Sequence, residues 1–297
     1  MVWWLFLAEA MAGGPWVLSA GDFDVYSGLE SRRATTLTNS TGDGNTLPGG
    51  GVSTMGAVGI LSAGILPGLQ GSIQVPIHRS RSLASDDTAC DDLGLGACKT
   101  SQGIGTVTMQ LKGQVLDELY GAPVSAALVG ELRLGDLTAP TRARLTSLGE
   151  GTTDLGVFAS VGHSGGLGSG FWSGQVEGGW RYRFPNATVS GQSVPGSEIL
   201  ANLEVLAGSA AWSIGPTAYF MTRAGGVTLE ETDLTSTERY VALQTTSAHV
   251  GGKLLLRSAA NWTVSLSGLR SVFSQNGFGD ELIISAGVSV WRPAKTL

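Results

Sequence analysis

Apolar and polar residues alternate along most of the chain. Between Leu69 and His78 the odd positions are Leu69, Gly71, Ile73, Val75 and Ile77, and the even ones Gln70, Ser72, Gln74, Pro76 and His78. A period of two places successive side chains on opposite faces of a β-strand, so this segment reads as a strand with one apolar and one polar face. The same pattern returns with Val107, Met109, Leu111 and Val115 against Thr106, Thr108, Gln110, Lys112 and Gln114. It continues with Val124, Ala126, Leu128, Leu132 and Leu134 opposite Ser125, Glu131 and Arg133. Leu155, Val157, Ala159 and Val161 then oppose Asp154 and Ser160, and Leu282, Ile284, Ala286, Val288 and Val290 close the series. By these rules about twelve strands are predicted, near 18–31, 51–63, 68–79, 103–115, 123–136, 151–163, 170–184, 196–211, 214–223, 237–256, 261–273 and 280–292. The register within 237–256 stays open. Long polar connections interleave with short ones such as Gly64-Ile65-Leu66-Pro67. The expected fold is all-β: a transmembrane antiparallel up-and-down β-barrel over residues 13–297. An even strand number puts both chain ends on one side, the periplasmic one, with the long connections outside.

Alternation also describes a soluble barrel or sandwich. The segment Trp172 to Phe184 favours the membrane. Its apolar face is Trp172, Gly174, Val176, Gly178, Trp180, Tyr182 and Phe184. From Trp172 to Tyr182 a strand runs about 33 Å. Tilted by about 40°, it rises roughly 25 Å, the height of a barrel's apolar band. Trp172 at one end and Trp180, Tyr182 and Phe184 at the other therefore read as aromatic girdles. A helical span fits less well. The uncharged stretch between Asp43 and Arg79 is long enough, but Pro67, several glycines and Gln70-Gly-Ser-Ile-Gln74 interrupt it. Composition agrees: 45 glycines, 42% hydrophobic and only 14% charged residues, with mean hydropathy of just +0.16. That is what an apolar face diluted by an equally long polar one produces.

A net charge of −6 with dispersed basic residues argues against nucleic acid as a partner. Residues 1–12 read as the end of a secretory signal peptide, from the apolar run Val2–Ala8 and the small-x-small Ala10-Met11-Ala12. Cys90 and Cys98 sit in a polar Gly- and Asp-rich stretch and read as a local disulfide in an oxidising compartment. Two cysteines without a nearby histidine leave a tetrahedral site half filled, and His78, His163 and His249 are far apart, so no metal and no cofactor are expected. Gly162-His163-Ser164-Gly165-Gly166 is a literal G-x-S-x-G. A nucleophile elbow needs a helix after the serine, and Gly-Leu-Gly-Ser-Gly-Phe-Trp is a poor helix, so the motif reads as a short periplasmic turn and the protein as no enzyme.

If the apolar faces meet lipid, the other faces line a lumen. Its expected residues are Gln70, Gln74, His78, Gln110, Lys112, Gln114, Glu131, Arg133, Asp154, Gln175, Glu177, Arg181, Arg183 and Glu204. Both signs of charge are present. Such a lumen is either a pore or a barrel plugged by cross-strand pairs.

Several short motifs, in order along the chain, resemble one family. They are Gly14-Pro15-Trp16-Val-Leu-Ser-Ala-Gly21, Ile65-Leu-Pro-Gly-Leu-Gln-Gly-Ser-Ile-Gln-Val-Pro-Ile-His78-Arg79, Ser147-Leu-Gly-Glu-Gly-Thr-Thr-Asp154-Leu and Ser274-Gln-Asn276-Gly-Phe-Gly. The chain is similar to the outer-membrane barrels named for the meta-pathway of phenol degradation, described as transporter-like. It departs from them at Gly103-Ile-Gly105-Thr106, where the family pattern has an Asp after the second Gly, and in lacking a terminal aromatic residue. The resemblance implies the bacterial outer membrane, a lipid bilayer and the barrel-assembly machinery as partners, and passage of small, hydrophobic or aromatic molecules. The competing expectation is a closed structural or adhesion barrel acting through its outer loops.

Overall fold

A computed structural model describes residues 14–46, 51–82, 100–134, 152–185, 196–226, 228, 243–258 and 261–294. The signal-peptide reading (1–12) and the Cys90–Cys98 pairing lie outside the described residues. The strands are β1 (Phe23–Ala34), β2 (Thr36–Thr38), β3 (Gly44–Thr46), β4 (Val52–Leu66), β5 (Leu69–Ser82), β6 (Ser101–Ile104), β7 (Val107–Leu116) and β8 (Ser125–Leu134). They continue as β9 (Thr152–Leu167), β10 (Gly170–Pro185), β11 (Ser197–Gly208), β12 (Trp212–Ala224), β13 (Thr246–Arg257), β14 (Trp262–Gln275) and β15 (Leu282–Arg292). Each long strand pairs antiparallel with its neighbours in sequence, and β1 pairs with both β4 and β15, so the sheet closes on itself. With β6 and β7 counted as one broken stave, the barrel has twelve staves. Closure removes the sheet edges that a bilayer would leave unsatisfied.

Two breaks have local causes. Pro76 has no N–H to donate toward its β6–β7 neighbour. Opposite it, Gly105 and Thr106 bulge out between β6 and β7, while Gly105 N still donates to the Pro76 carbonyl at 2.9 Å. The β4–β5 turn falls on Pro67-Gly68, one residue past the expected connection. Gly68 adopts φ +75°, the geometry of a type II turn with Pro first and Gly second.

Burial alternates along the staves as their sequence does, and β8 and β9 are the clearest cases. The exposed face carries Leu29, Met55, Ile77, Leu128, Val157, Val176, Leu203, Ile214, Leu266 and Ile284, the band that faces hydrocarbon. No helix among the described residues is long and apolar enough to cross a membrane; strands make the crossing. Exposed aromatics sit at both ends. Trp212, Trp262 and Trp291 lie at the end holding the chain termini, where Trp172 is partly buried, and Trp180, Tyr182, Phe184, Phe220 and Phe273 lie toward the long connections. Trp180, Tyr182 and Phe184 touch in series, with ring centroids 5.7 Å and 4.7 Å apart.

The loop end is tied together by side chains. Asp280 accepts from the Thr35 and Thr36 amides at 2.8 Å each and from Thr36 Oγ1 at 2.9 Å, and also binds Thr35 Oγ1. Partial burial works to raise the Asp280 pKa, but these hydrogen bonds outweigh it and hold the carboxyl below its usual 3.8. A carboxylate depressed in the folded state stabilises fully above its unfolded pKa and loses that contribution as pH falls through the folded value. The clamp is therefore expected to add about 1–2 kcal/mol at neutral pH, after allowing for partial exposure. It should vanish in strong acid. Thermal unfolding of the wild type and Asp280→Asn checks this: the gap between them should be wide at pH 7 and narrow as the pH falls below the ordinary carboxylate range.

Candidate functional site: a layered lumen

All fourteen residues expected in the lumen lie on the inner face, on β5, β7, β8, β9, β10 and β11. Ten of them are buried: Gln74, His78, Lys112, Glu131, Arg133, Asp154, Glu177, Arg181, Arg183 and Glu204. Gln70, Gln110, Gln114 and Gln175 are partly buried.

Strand register stacks these side chains in layers. Toward the loop end, Glu131, Gly156, Arg181, Glu198 and Arg223 stand opposite one another across β8 to β12. Gly156 has no side chain, so Arg181 reaches across β9 to Glu131, with Nε at 2.7 Å and Nη2 at 2.6 Å from Oε1. Arg181 Nη1 donates to Glu198 Oε2 at 2.8 Å, Arg223 Nε to Glu198 Oε1 at 3.0 Å, and Arg183 also binds Glu198. Next to this row Arg133 Nη1 donates to Asp154 at 2.8 Å. On the opposite wall Arg32 pairs with Glu30 and stands 3.6 Å from Glu281, which His249 Nε2 meets at 2.9 Å. The Arg181, Arg183, Glu131, Glu198 and Arg223 side chains are fully buried. The belt is thus a layer of paired charges shielded from solvent at this height.

Beneath the belt comes an apolar layer of Val129, Phe158, Leu200 and Met221. Below that, Ser160, Glu177, Asn202, Tyr219 and His249 face one another across β9 to β13. Ser160 Oγ, both Glu177 carboxylate oxygens, Asn202 Oδ1, Tyr219 Oη and His249 Nδ1 are buried and find no hydrogen-bond partner among the described residues. Buried polar atoms are rarely orphaned in native proteins; they are met by water or by a ligand.

The terminal end is built differently. The periodicity places a strand from residue 18, but β1 begins at Phe23, and Gly14–Leu18 turn into the barrel instead. Inward-facing glycines make the room. A Cβ on Gly64 would fall on the Ser19 carbonyl oxygen, and one on Gly162 would meet Pro15. Lys112 Nζ donates to the Gly14 carbonyl at 2.9 Å, and Leu18 N donates to Gln70 Oε1 at 2.9 Å. A cavity of about 390 Å³ remains beside this segment, lined among others by Trp16, Tyr26, Gln70 and Lys253. Lys253 is held by Glu204 at 2.9 Å.

Glu30, Arg32, Glu198, Tyr219, Arg223, His249, Lys253 and Glu281 belong to the interior and were not among the sequence-derived candidates. Glu198 shares the parity of Glu204, six residues on, and Glu30 that of Arg32, so period two could have found them. Lys253 and His249 lie in the segment whose register the pattern left open. Glu281 is a loop residue with no periodicity to read.

The G-x-S-x-G motif is not a turn. β9 runs through His163 and Ser164 to Leu167 and joins β10 by a hairpin. His163 pairs with Glu118 on the 3₁₀ turn between β7 and β8, and Ser164 Oγ lies 3.5 Å from the same carboxylate. The helix that a nucleophile elbow requires does not follow the serine.

Among solved structures, an outer membrane channel from Pseudomonas putida F1 superposes with a TM-score of 0.69 at 14% identity, over 93% of this chain and 97% of that one. The transport unit of the autotransporter AIDA-I from Escherichia coli gives 0.46 at 10% identity, over 96% of each chain. The KdgM porin gives 0.44 at 8% identity, over 89% of this chain and 98% of that one. No family model and no curated protein matches the chain. The molecule is an outer-membrane β-barrel that shares its fold with the Pseudomonas putida channel. A closed twelve-stave wall with an apolar outer band has no other setting in which both of its faces are satisfied.

Proposed function

We propose that the protein is a gated outer-membrane channel for small molecules, with its long connections facing outward and both chain ends in the periplasm. The observation that carries this reading is the row of Ser160, Glu177, Asn202, Tyr219 and His249. Five inward side chains present unpartnered polar atoms between two closures, the ionic belt above and the Gly14–Leu18 segment below. A barrel filled only for stability would pair such groups or replace them with apolar ones, because buried unpartnered polar atoms cost free energy. The row is suited to a solute offering both hydrogen-bond donors and acceptors, and the Tyr219 ring within it and Phe158 and Met221 beside it suit an aromatic or otherwise apolar body. The resemblance to the barrels named for phenol degradation points to the same class. The shared fold with the Pseudomonas putida channel is consistent with it.

The belt favours a second reading, a closed structural or adhesion barrel, since its fully buried ion pairs seal the lumen. Single-channel recording in planar bilayers separates the two. The channel reading expects brief, low-conductance openings from the intact protein. An absence of openings from a barrel that still shows heat-modifiable migration would overturn it.

A further inference from the structure

The outer face of the barrel is nearly free of charge, and its few charges share one sign. Every Asp and Glu of the described long strands faces inward. The outward-facing basic residues are Arg33, Arg79, Arg81, Arg270 and, at the opposite end, Arg292. The first four gather at the loop end of one sector. Arg33 stands opposite Ser53, which stands opposite Arg81, and both Arg33 and Arg270 stand opposite Leu282. Arg79 is two residues along β5 from Arg81, on the same face. Neighbouring strands lie about 4.8 Å apart, so Arg270, Arg33 and Arg81 are spaced at roughly 10 Å intervals around the wall. None of the four makes an ion pair among the described residues.

Beside them the wall is hollowed into a groove of about 730 Å³, lined largely by apolar atoms. Leu29, Met55, Ala57, Ile77, Ile284 and Ala286 line it, with Glu30 reaching it from the inner face. Arg79 stands on its margin. A guanidinium on the lipid face is unfavourable in hydrocarbon and tolerable only where it reaches the interface or meets an anion. Four on one sector, next to an apolar groove and without an ion-pair partner among the described residues, match a ligand with clustered negative charge at one end and acyl chain at the other. Arginine's fork binds phosphate oxygens in pairs.

We propose that this sector is a seat for a phosphorylated glycolipid of the outer leaflet, of the lipid A class. Its phosphates lie on Arg33, Arg79, Arg81 and Arg270, and one acyl chain occupies the groove. The inference rests on the membrane orientation proposed above and not on conduction, so a barrel without openings would leave it standing.

Titration of the full chain in detergent with bis-phosphorylated lipid A, read by native mass spectrometry, tests it. Lipid A of the same acyl pattern without phosphates should bind at least about tenfold more weakly, the loss expected for even one charge-assisted contact. The Arg33→Gln/Arg79→Gln/Arg81→Gln/Arg270→Gln variant should lose affinity to a similar degree, and Arg292→Gln should behave as wild type. Equal binding of the two lipids, or an equal loss in Arg292→Gln, would overturn the seat. So would displacement of lipid A by inorganic phosphate at equal concentration, which would assign the arginines to a free anion. Should the fourfold variant not fold, the two-lipid comparison on the wild type decides alone.

Discussion

Replacing Glu198 by alanine is expected to cost the barrel about 3–5 kcal/mol, the usual penalty for removing one partner of a buried ion pair. Glu198 is the acceptor shared by Arg181, Arg183 and Arg223, all fully buried. Its loss takes from Arg183 and Arg223 the carboxylate they share with Arg181, which still meets Glu131. The cost arises from buried guanidinium charge that is no longer balanced more than from the contacts themselves. Urea unfolding of the barrel in lipid vesicles gives the number. A loss below about 1 kcal/mol would mean that water already solvates these arginines, and the belt would then not be a seal. The same variant should open the channel more often, because water drawn to the unpaired charges loosens the layer that closes the lumen.

Deleting Gly14–Leu18 is expected to raise single-channel conductance severalfold in the Glu198→Ala background, and little in the wild type. The two closures lie in series. Gln175, beside Gly14, and Arg181, in the belt, are six residues apart on β10, about 20 Å along the strand. Current through two constrictions in series is limited by the narrower, so removing the lower one matters once the upper one has been loosened. A large conductance from the deletion alone would place the main closure in the terminal segment and leave the belt a structural device. The deletion also strands Lys112, whose buried ammonium group donates to the Gly14 carbonyl. A modest loss of stability should accompany it, and Lys112→Met should relieve part of that loss.

Much of this architecture was legible as alternation. The reading placed twelve strands, and the structure has twelve staves with boundaries mostly within a few residues. The largest departures have physical causes. Residues 18–22 alternate acceptably but leave the wall, because inward glycines on β4 and β9 open room for the preceding segment. The strand expected over 237–256 is β13, beginning at Thr246, and Gly251 and Gly252 at its centre break the pattern a reader would follow. The inner positions of β5 and β7–β11 were equally readable, since parity assigns a face once a strand is recognised.

Partners are a different matter. Arg181 looks in sequence like any polar residue of its strand. Its pairing with Glu131 depends on Gly156 lying between them on β9, and its pairing with Glu198 on β11 lying beside β10 in that register. Neither fact has a sequence signal, because the pairs join residues 50 and 17 positions apart. The outward arginines are legible one by one as charges on an apolar face. That Arg33, Arg81 and Arg270 share a sector follows only from closure, which brings β1 beside β15.

The sequence by itself therefore determined the element type, the strand number and the face to which each side chain belongs, since these depend on local periodicity and on the solvent each face must meet. The tertiary structure alone decided which inward charges neutralise one another, where the lumen closes, and which outward charges gather. Those outcomes depend on register and closure, and both are set by contacts between residues far apart in the chain.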